Sequence, residues 1–224
     1  MGLIYNRETG VRTNRPDNIN GNYVINHMIN YGQALGKKQR WRIDTRTNIF
    51  YNHNVDLTGI ENATRSLRSV VNNLYLSENV NLDYRLSSKF SIGAKATWTW
   101  THAISKREDF NTINANDFNY GLTTQIELPW KMQLGTDLTQ YSRRGYEDPE
   151  MNNDELVWNA RLSKSCMKGN LTFMLDGFDI LGNLSNVRRT LNAQGRTESY
   201  YNVIPRYAML HVMYKLNIQP KKKK

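Results

Sequence analysis

The feature that most constrains this chain is a strict alternation of apolar and polar residues over unusually long stretches. Between Phe90 and Thr101 every even position is apolar, and every odd position is glycine, serine, threonine or lysine. Successive side chains of a β-strand point to opposite faces of a sheet, whereas a helix repeats about every 3.6 residues. The segment is therefore predicted to be a β-strand with one apolar and one polar face.

The same alternation recurs along the chain and predicts nine strands. They cover residues 23–35, 40–55, 72–84, 90–101, 118–128, 131–141, 155–165, 171–179 and 206–218, and a candidate tenth strand lies within 2–13. Strands of soluble proteins are most often about 5 to 6 residues long, whereas a tilted strand needs about 9 to 11 residues to cross a bilayer. Several segments keep the alternation for eleven to thirteen residues, which favours strands that cross a membrane.

Short and long connections alternate between these strands. The short ones are 36–38, 86–89, 129–130 and 166–170, and the long ones are roughly 56–70, 103–116, 142–154 and 180–205. In an up-and-down sheet this places every short turn at one end and every long loop at the other. Outer-membrane barrels have the same asymmetry, with short periplasmic turns and long extracellular loops.

The apolar parity is predicted to form a lipid-facing belt with aromatic residues near strand ends, where their rings sit at headgroup depth. Its predicted members are Trp41, Ile43, Ile49, Phe90, Ile92, Trp98, Leu122, Ile126, Leu134, Leu138, Leu162, Leu210 and Val212. Glu78 shares this parity and is the exception. Either a β-bulge that shifts the register or a covered surface would explain it.

The polar parity is predicted to face a wet lumen. The lumen-facing candidates are Arg40, Arg42, Arg46, Lys95, Gln125, Glu127, Asp137 and Arg161, with Thr97 on the same face. Charges cost little in a lumen, whereas a lysine or arginine at mid-depth on the lipid face costs about 2 to 4 kcal/mol. Two roles stay open for these groups: they pair with a plug or with neighbouring strands, or they guide a charged ligand.

Overall hydropathy agrees with a barrel and excludes helical spans. The mean hydropathy is -0.69, and no run approaches the roughly 18 apolar residues of a transmembrane helix. A soluble β-sandwich or a lipocalin-like barrel is the alternative, because any antiparallel sheet with one wet face alternates. The fold class predicted is an all-β, transmembrane antiparallel up-and-down β-barrel, with nine to ten strands in this chain.

Charge and reactive residues indicate neither a nucleic-acid-binding protein nor an enzyme. The net charge is +10, of which residues 221–224 supply four, and the rest is expected to be spread along the chain without a patch. His27, His53, His102 and His211 are isolated in sequence, and Asp176 and Asp179 lie on opposite faces at a strand end. The lone Cys166 excludes an internal disulfide. No catalytic residue, cofactor or metal is predicted.

The last third of the chain carries a family resemblance. Its features are the strand pair 156–165 and 171–181, the arginines Arg188 and Arg189, and the Pro205-Arg206-Tyr207 entry to the final strand. This part resembles the terminal strands of the outer-membrane β-barrel family of Bacteroidota, relatives of the TonB-dependent receptors. Over residues 155–218 the resemblance rests on sequence motifs, whereas before residue 155 it rests only on the general pattern of the strands.

The resemblance implies a piece of a transporter in the bacterial outer membrane. Members of the family have a barrel of about 22 strands closed by a plug, and they import siderophores, vitamins or glycans with energy passed from the inner membrane. The N-terminus lacks the apolar core of a secretory signal, so the chain is expected to be a fragment of a longer barrel. Residues 1–218 would form the barrel portion and 219–224 a basic tail.

The expected partners are outer-membrane lipid, the missing N-terminal strands and plug of the same protein, and an imported ligand. A complete ten-stranded barrel acting as a pore or adhesin is the second hypothesis. A soluble β-sandwich that binds a ligand is the third.

Overall fold

The computed structural model describes residues 2–5, 12–15, 18–58, 67–106, 110–185, 187–192, 195–202, 204 and 206–216. Its strands are β1 (Gly2–Tyr5), β2 (Arg12–Arg15), β3 (Tyr23–Leu35), β4 (Trp41–Thr58), β5 (Leu67–Ser87), β6 (Phe90–Ser105), β7 (Ile113–Leu128), β8 (Met132–Arg144), β9 (Asp154–Cys166), β10 (Leu171–Phe178), β11 (Val187–Asn192), β12 (Gly195–Tyr200) and β13 (Tyr207–Tyr214). Within these residues the helical segments are three single 3-10 turns, Pro129–Lys131, Pro149–Met151 and Met167–Gly169. The prediction of an all-β chain is confirmed.

Nine of the strands form one antiparallel sheet in chain order, from β3 at one edge through β10 to β13 at the other. The β11–β12 hairpin lies in the connection between β10 and β13 and pairs only within itself. The expected meander of nine long strands is therefore confirmed. The sheet is open, because β3 and β13 do not pair with each other.

Two expectations about strand limits are wrong. β4 and β5 have 18 and 21 residues and stay paired through Thr58 and Leu67, so the connections 59–66, 106–112 and 145–153 are shorter than predicted. Backbone pairing continues there although the alternation breaks, because apolar residues such as Val71, Ala103 and Ile113 occupy the positions of the polar parity. The candidate tenth strand is two short ones, since β1 and β2 pair with each other and stand outside the sheet.

The strand register sorts the side chains into two faces, since directly paired residues project to the same side. The pairs Ile43–Leu82, Leu82–Ala94 and Ala94–Leu122 carry the apolar face across four strands. All thirteen residues of the predicted belt lie on this apolar face, and the polar set lies on the other. The expected separation of the two sets is confirmed.

On the central strands β6 and β7 the exposure of the two faces is the reverse of that in a soluble sheet. On the apolar face Leu122 is 52% exposed and Trp41 is 45% exposed. On the polar face Lys95, Thr97 and Asn119 are half-buried, and Gly93 is buried. At the end with the long connections, part of the polar face is covered by a small apolar core. It consists of Ala103, Ile113 and Ala115, with Phe110 and Tyr146 packed against them. On β6 and β7 the polar face is thus the more sheltered one, whereas polar-face arginines such as Arg42 and Arg161 on outer strands are exposed.

Candidate functional site

The candidate site is the polar face, and it contains the residues expected there from the sequence. Seven of the eight expected residues share this face on strands β4 to β9, namely Arg42, Arg46, Lys95, Gln125, Glu127, Asp137 and Arg161. The eighth, Arg40, directly precedes β4. The eight do not converge on one point. Six of these eight residues line three open grooves. Arg42 and Arg46 line a groove of about 720 Å³, Arg40, Arg42 and Gln125 one of about 550 Å³, and Gln125, Glu127 and Arg161 one of about 450 Å³.

The first groove, between β3 and β6, combines one ion pair with neutral hydrogen-bonding groups. Arg42 donates from Nε and Nη2 to the Asp44 carboxylate, at 2.6 and 2.7 Å. The next arginine along the strand, Arg46, donates to Asn30 Oδ1 at 2.8 Å. Gly32 leaves room for the Asp44 carboxylate, because a Cβ there would lie 2.5 Å from Asp44 Oδ1. The charge of Arg42 is therefore neutralised within the sheet, whereas Arg46 keeps its positive charge because Asn30 is neutral.

A ladder of amides and hydroxyls continues the face across β5 and β6. Asn81 Nδ2 donates to Asn79 Oδ1 at 2.7 Å, and Asn79 Nδ2 donates to Thr97 Oγ1 at 2.6 Å. Ser77 and Thr99 share a hydrogen bond of 3.3 Å one step further along. Such groups bind water and polar ligands without demanding a particular charge.

The strongest charged cluster, Arg161, Asp176 and His211, lies on three adjacent strands, β9, β10 and β13. Arg161 donates to Asp176 at 2.5 Å from Nε and 3.1 Å from Nη2, and His211 Nε2 lies 3.0 Å from Asp176 Oδ2. The Asp176 side chain is 3% exposed and that of Arg161 is 57% exposed. His211 is thus not isolated in space. The Arg161–Asp176 pair could have been found from the sequence, because the short β9–β10 turn sets a register in which the two residues are direct partners.

The connection 145–153 folds over one end of the polar face. The Tyr146 hydroxyl lies 3.1 and 3.0 Å from the two Asp117 carboxylate oxygens, and Arg143 Nη2 donates to it at 3.1 Å. Asn152 holds the loop closed by donating to the Tyr146 carbonyl and accepting from the Tyr146 N–H. Burial raises the pKa of the Tyr146 phenol above its ordinary value, against the opposing effect of Arg143.

Glu78 remains on the apolar face, and the bulge expected as one explanation is not there. Pairing is regular through Glu78 and shifts only between Arg85 and Ser87. Thr47 Oγ1 donates to Glu78 Oε2 at 2.5 Å. Trp98 pairs with Glu78 on the other side, so the carboxylate is half-buried between two side chains of its own sheet.

Basic residues gather at the end of the sheet that carries the short turns. This is contrary to the expectation that the positive charge is spread along the chain without forming a patch. We call this set the basic rim. Its members are Lys37, Lys38, Arg40, Arg85, Lys89, Lys131, Lys164, Lys168 and Lys215. Glu127 is the one acidic residue in the surrounding segments 35–41, 84–90, 127–133, 163–172 and 214–216. The residues are far apart in sequence, and the up-and-down topology brings them to one edge.

The described residues offer no metal site and no helical span. They contain no group of three or more His, Cys, Asp or Glu side chains placed to hold a metal ion. No helix among them is long and apolar enough to cross a membrane. Comparison of the chain with protein-family models, with curated proteins and with solved structures gives no match.

Proposed function

We propose that this chain forms part of the wall of an outer-membrane β-barrel transporter of the TonB-dependent-receptor type and contributes to ligand uptake. The observation that carries the proposal is the exposure pattern of the central strands β6 and β7, whose apolar face is more exposed than their polar face. In water such a sheet would expose a broad apolar surface, which soluble monomers avoid. In a bilayer the same surface is solvated by acyl chains, and the polar face lines a wet interior.

The dimensions of the apolar face support a membrane-spanning wall. On β5 the apolar residues run from Leu74 to Tyr84, about 33 Å along a strand with a rise of about 3.3 Å per residue. At a tilt of about 40° this corresponds to a height of about 25 Å, the thickness of the apolar band of outer-membrane barrels. The rings of Trp41 and Tyr84 lie against each other at one end, tilted by 38° and with centroids 4.4 Å apart. At the other end, the ring centroids of Tyr23 and Tyr51 lie 5.9 Å apart.

The open edges and the polar face fit one part of a larger barrel. Edge strands in a bilayer need partners, because unpaired backbone groups cost several kcal/mol each in hydrocarbon. Further strands of the same barrel would pair with β3 and β13, and a plug or the imported ligand would contact the polar face. The half-neutralised grooves suit a polar ligand that passes along the wall.

Folding with and without lipid tests the proposal. The chain is expected to fold in detergent micelles, or in vesicles together with the strands that complete its barrel, and to remain unfolded or aggregated in plain buffer. Cooperative folding as a monomer in buffer would contradict a membrane wall.

A matched pair of arginine variants on β7 tests which face meets lipid. Leu122→Arg places a charge in the middle of the apolar face and is expected to cost about 2 to 4 kcal/mol in bilayers. Gln125→Arg, on the polar face of the same strand, serves as the control and is expected to change stability by less than about 1 kcal/mol. Equal losses in urea titrations of the two vesicle-folded variants would contradict the assignment of the faces.

A further inference from the structure

We propose that the basic rim binds the phosphate groups of anionic phospholipids in the leaflet on the short-turn side. This inference rests on the proposed membrane wall and adds a lipid class and a binding surface to it. Each of the four short turns has a basic residue in it or beside it, and Lys215 directly follows β13. The rim thus follows the edge of the apolar face along its length.

The rim lysines are available for a ligand. All of them are exposed, and among the described residues only Lys89 has a carboxylate within ion-pair distance, Glu127 at 3.1 Å. The long connections at the opposite end carry acidic and basic residues in nearly equal numbers. The positive field is therefore confined to one end of the wall, where it would attract anions.

Two turns place lysine where folding alone favours another residue. Lys131 and Lys168 both have φ 57, in the left-handed region, and each follows a residue that is also left-handed, Trp130 or Met167. The left-handed region favours glycine and asparagine over residues with a long side chain. A long cationic side chain at both positions has no role in the turn, which points to a role outside it.

The apolar residues of the rim indicate a lipid surface as the source of the anion. Trp130 is 77% exposed and Met167 is 65% exposed, each beside a rim lysine in its turn. Tryptophan favours the membrane interface, and lysine extends its ammonium group from there to the headgroups. A surface for free phosphate or for an acidic protein would not need large apolar side chains at the same depth.

The test compares phosphatidylglycerol with phosphatidylcholine for their binding to the folded chain in zwitterionic micelles. The variant Lys131→Asn/Lys168→Asn removes two rim charges and supplies the residue that the turns favour. The control Lys106→Asn/Arg206→Asn removes two charges at the opposite end, one of them also at a left-handed residue. A basic residue at a membrane surface adds about fivefold to binding of anionic lipid, so the rim variant is expected to lose at least about fivefold of the preference for phosphatidylglycerol.

The outcomes separate this inference from the proposed function. The control variant keeps the wild-type preference, and the rim variant keeps or gains thermal stability while the preference falls. Equal binding of the two lipids by a wild-type chain that folds only with lipid overturns the rim site and leaves the wall intact. Equal preference in both variants also overturns it, as does binding of soluble polyglutamate as tight as that of phosphatidylglycerol vesicles. A chain that folds in buffer without any headgroup preference overturns both proposals.

Discussion

Gly121 and Gly135 occupy the polar face of neighbouring strands but differ in the space around them. A Cβ at Gly121 would fall on the carbonyl oxygen of Leu138 and lie 2.9 Å from Thr139 Cα, whereas Gly135 has nothing within 4 Å. Gly121→Ala is expected to cost about 1 to 3 kcal/mol, because backbone atoms must move. Gly135→Ala, the control, is expected to gain about 0.4 to 1 kcal/mol by restricting the unfolded chain. Urea unfolding in micelles measures both, and equal effects would contradict the β7–β8 packing.

The Arg161–Asp176 pair is asymmetric, and its two partners should respond differently to mutation. Arg161→Ala leaves a nearly buried carboxylate with His211 as its remaining side-chain partner, whereas Asp176→Asn leaves an exposed arginine that water can solvate. Since an unsatisfied buried charge costs more than a lost hydrogen bond, Arg161→Ala should destabilise the fold more, by about 1 kcal/mol or more. Unfolding midpoints of the two variants and of the double variant decide this. A larger loss for Asp176→Asn would argue against the buried position of Asp176.

Alternation alone assigned individual side chains to the correct face, because a strand repeats every two residues whatever its neighbours are. Ile92 and Gly93 are on opposite faces, as expected. The partner of a side chain needs the register as well. Arg161 and Asp176 follow from a short turn, but His211 joins them across the connection 179–206, whose register no local pattern reveals.

At the scale of elements, the loop 145–153 depends on the cluster of Tyr146, Asp117 and Arg143. Tyr146→Phe removes a hydroxyl with two charged partners and is expected to loosen the loop by about 1 to 3 kcal/mol. The sheet beneath it should keep its stability, because β7 and β8 remain paired. Amide hydrogen exchange is expected to rise in 145–153 and to stay unchanged in 132–144. Faster exchange throughout β8 would show that the loop supports the sheet.

The raised pKa of Tyr146 gives the same loop a defined pH dependence. Because the folded-state pKa lies above the ordinary value of about 10, the phenol stabilises the closed loop below that pH, and the contribution is lost as pH rises through the folded pKa. In an absorbance titration of phenolate, the difference between wild type and Tyr146→Phe should therefore appear above pH of about 10. A difference that titrates at about pH 10 would show a phenol exposed to solvent.

The number, order and type of the main strands were predictable, and their ends were not. Strand β3 has the predicted range 23–35, since its turn at Gly36 interrupts the alternation. In β5 the pairing continues from Asn72 back to Leu67, where the consecutive residues Val70 and Val71 break the alternation. The short hairpin β1–β2 looked like one more wall strand because four-residue segments carry too little alternation to identify a sheet.

At the scale of the whole molecule, the edge strand β3 stands out among the strands of the nine-stranded sheet, because all thirteen of its residues are exposed. An edge strand pairs on one side only, so alternate N–H groups lack an intrachain acceptor. In the isolated chain in micelles, about half of the β3 amides should exchange fast, whereas those of β6 and β7 should be protected. Protection of every β3 amide would show that another strand already covers this edge.

The odd number of strands in the sheet sets a rule for how it can be closed. Since direction reverses at each of the eight steps from β3 to β13, the two edges run the same way. Joining them directly, or inserting a second copy in the same membrane orientation, would create a parallel seam in an antiparallel wall. Bacterial single-chain barrels have an even number of antiparallel strands. An antiparallel circle that includes this sheet must therefore draw an odd number of strands from a different stretch of polypeptide.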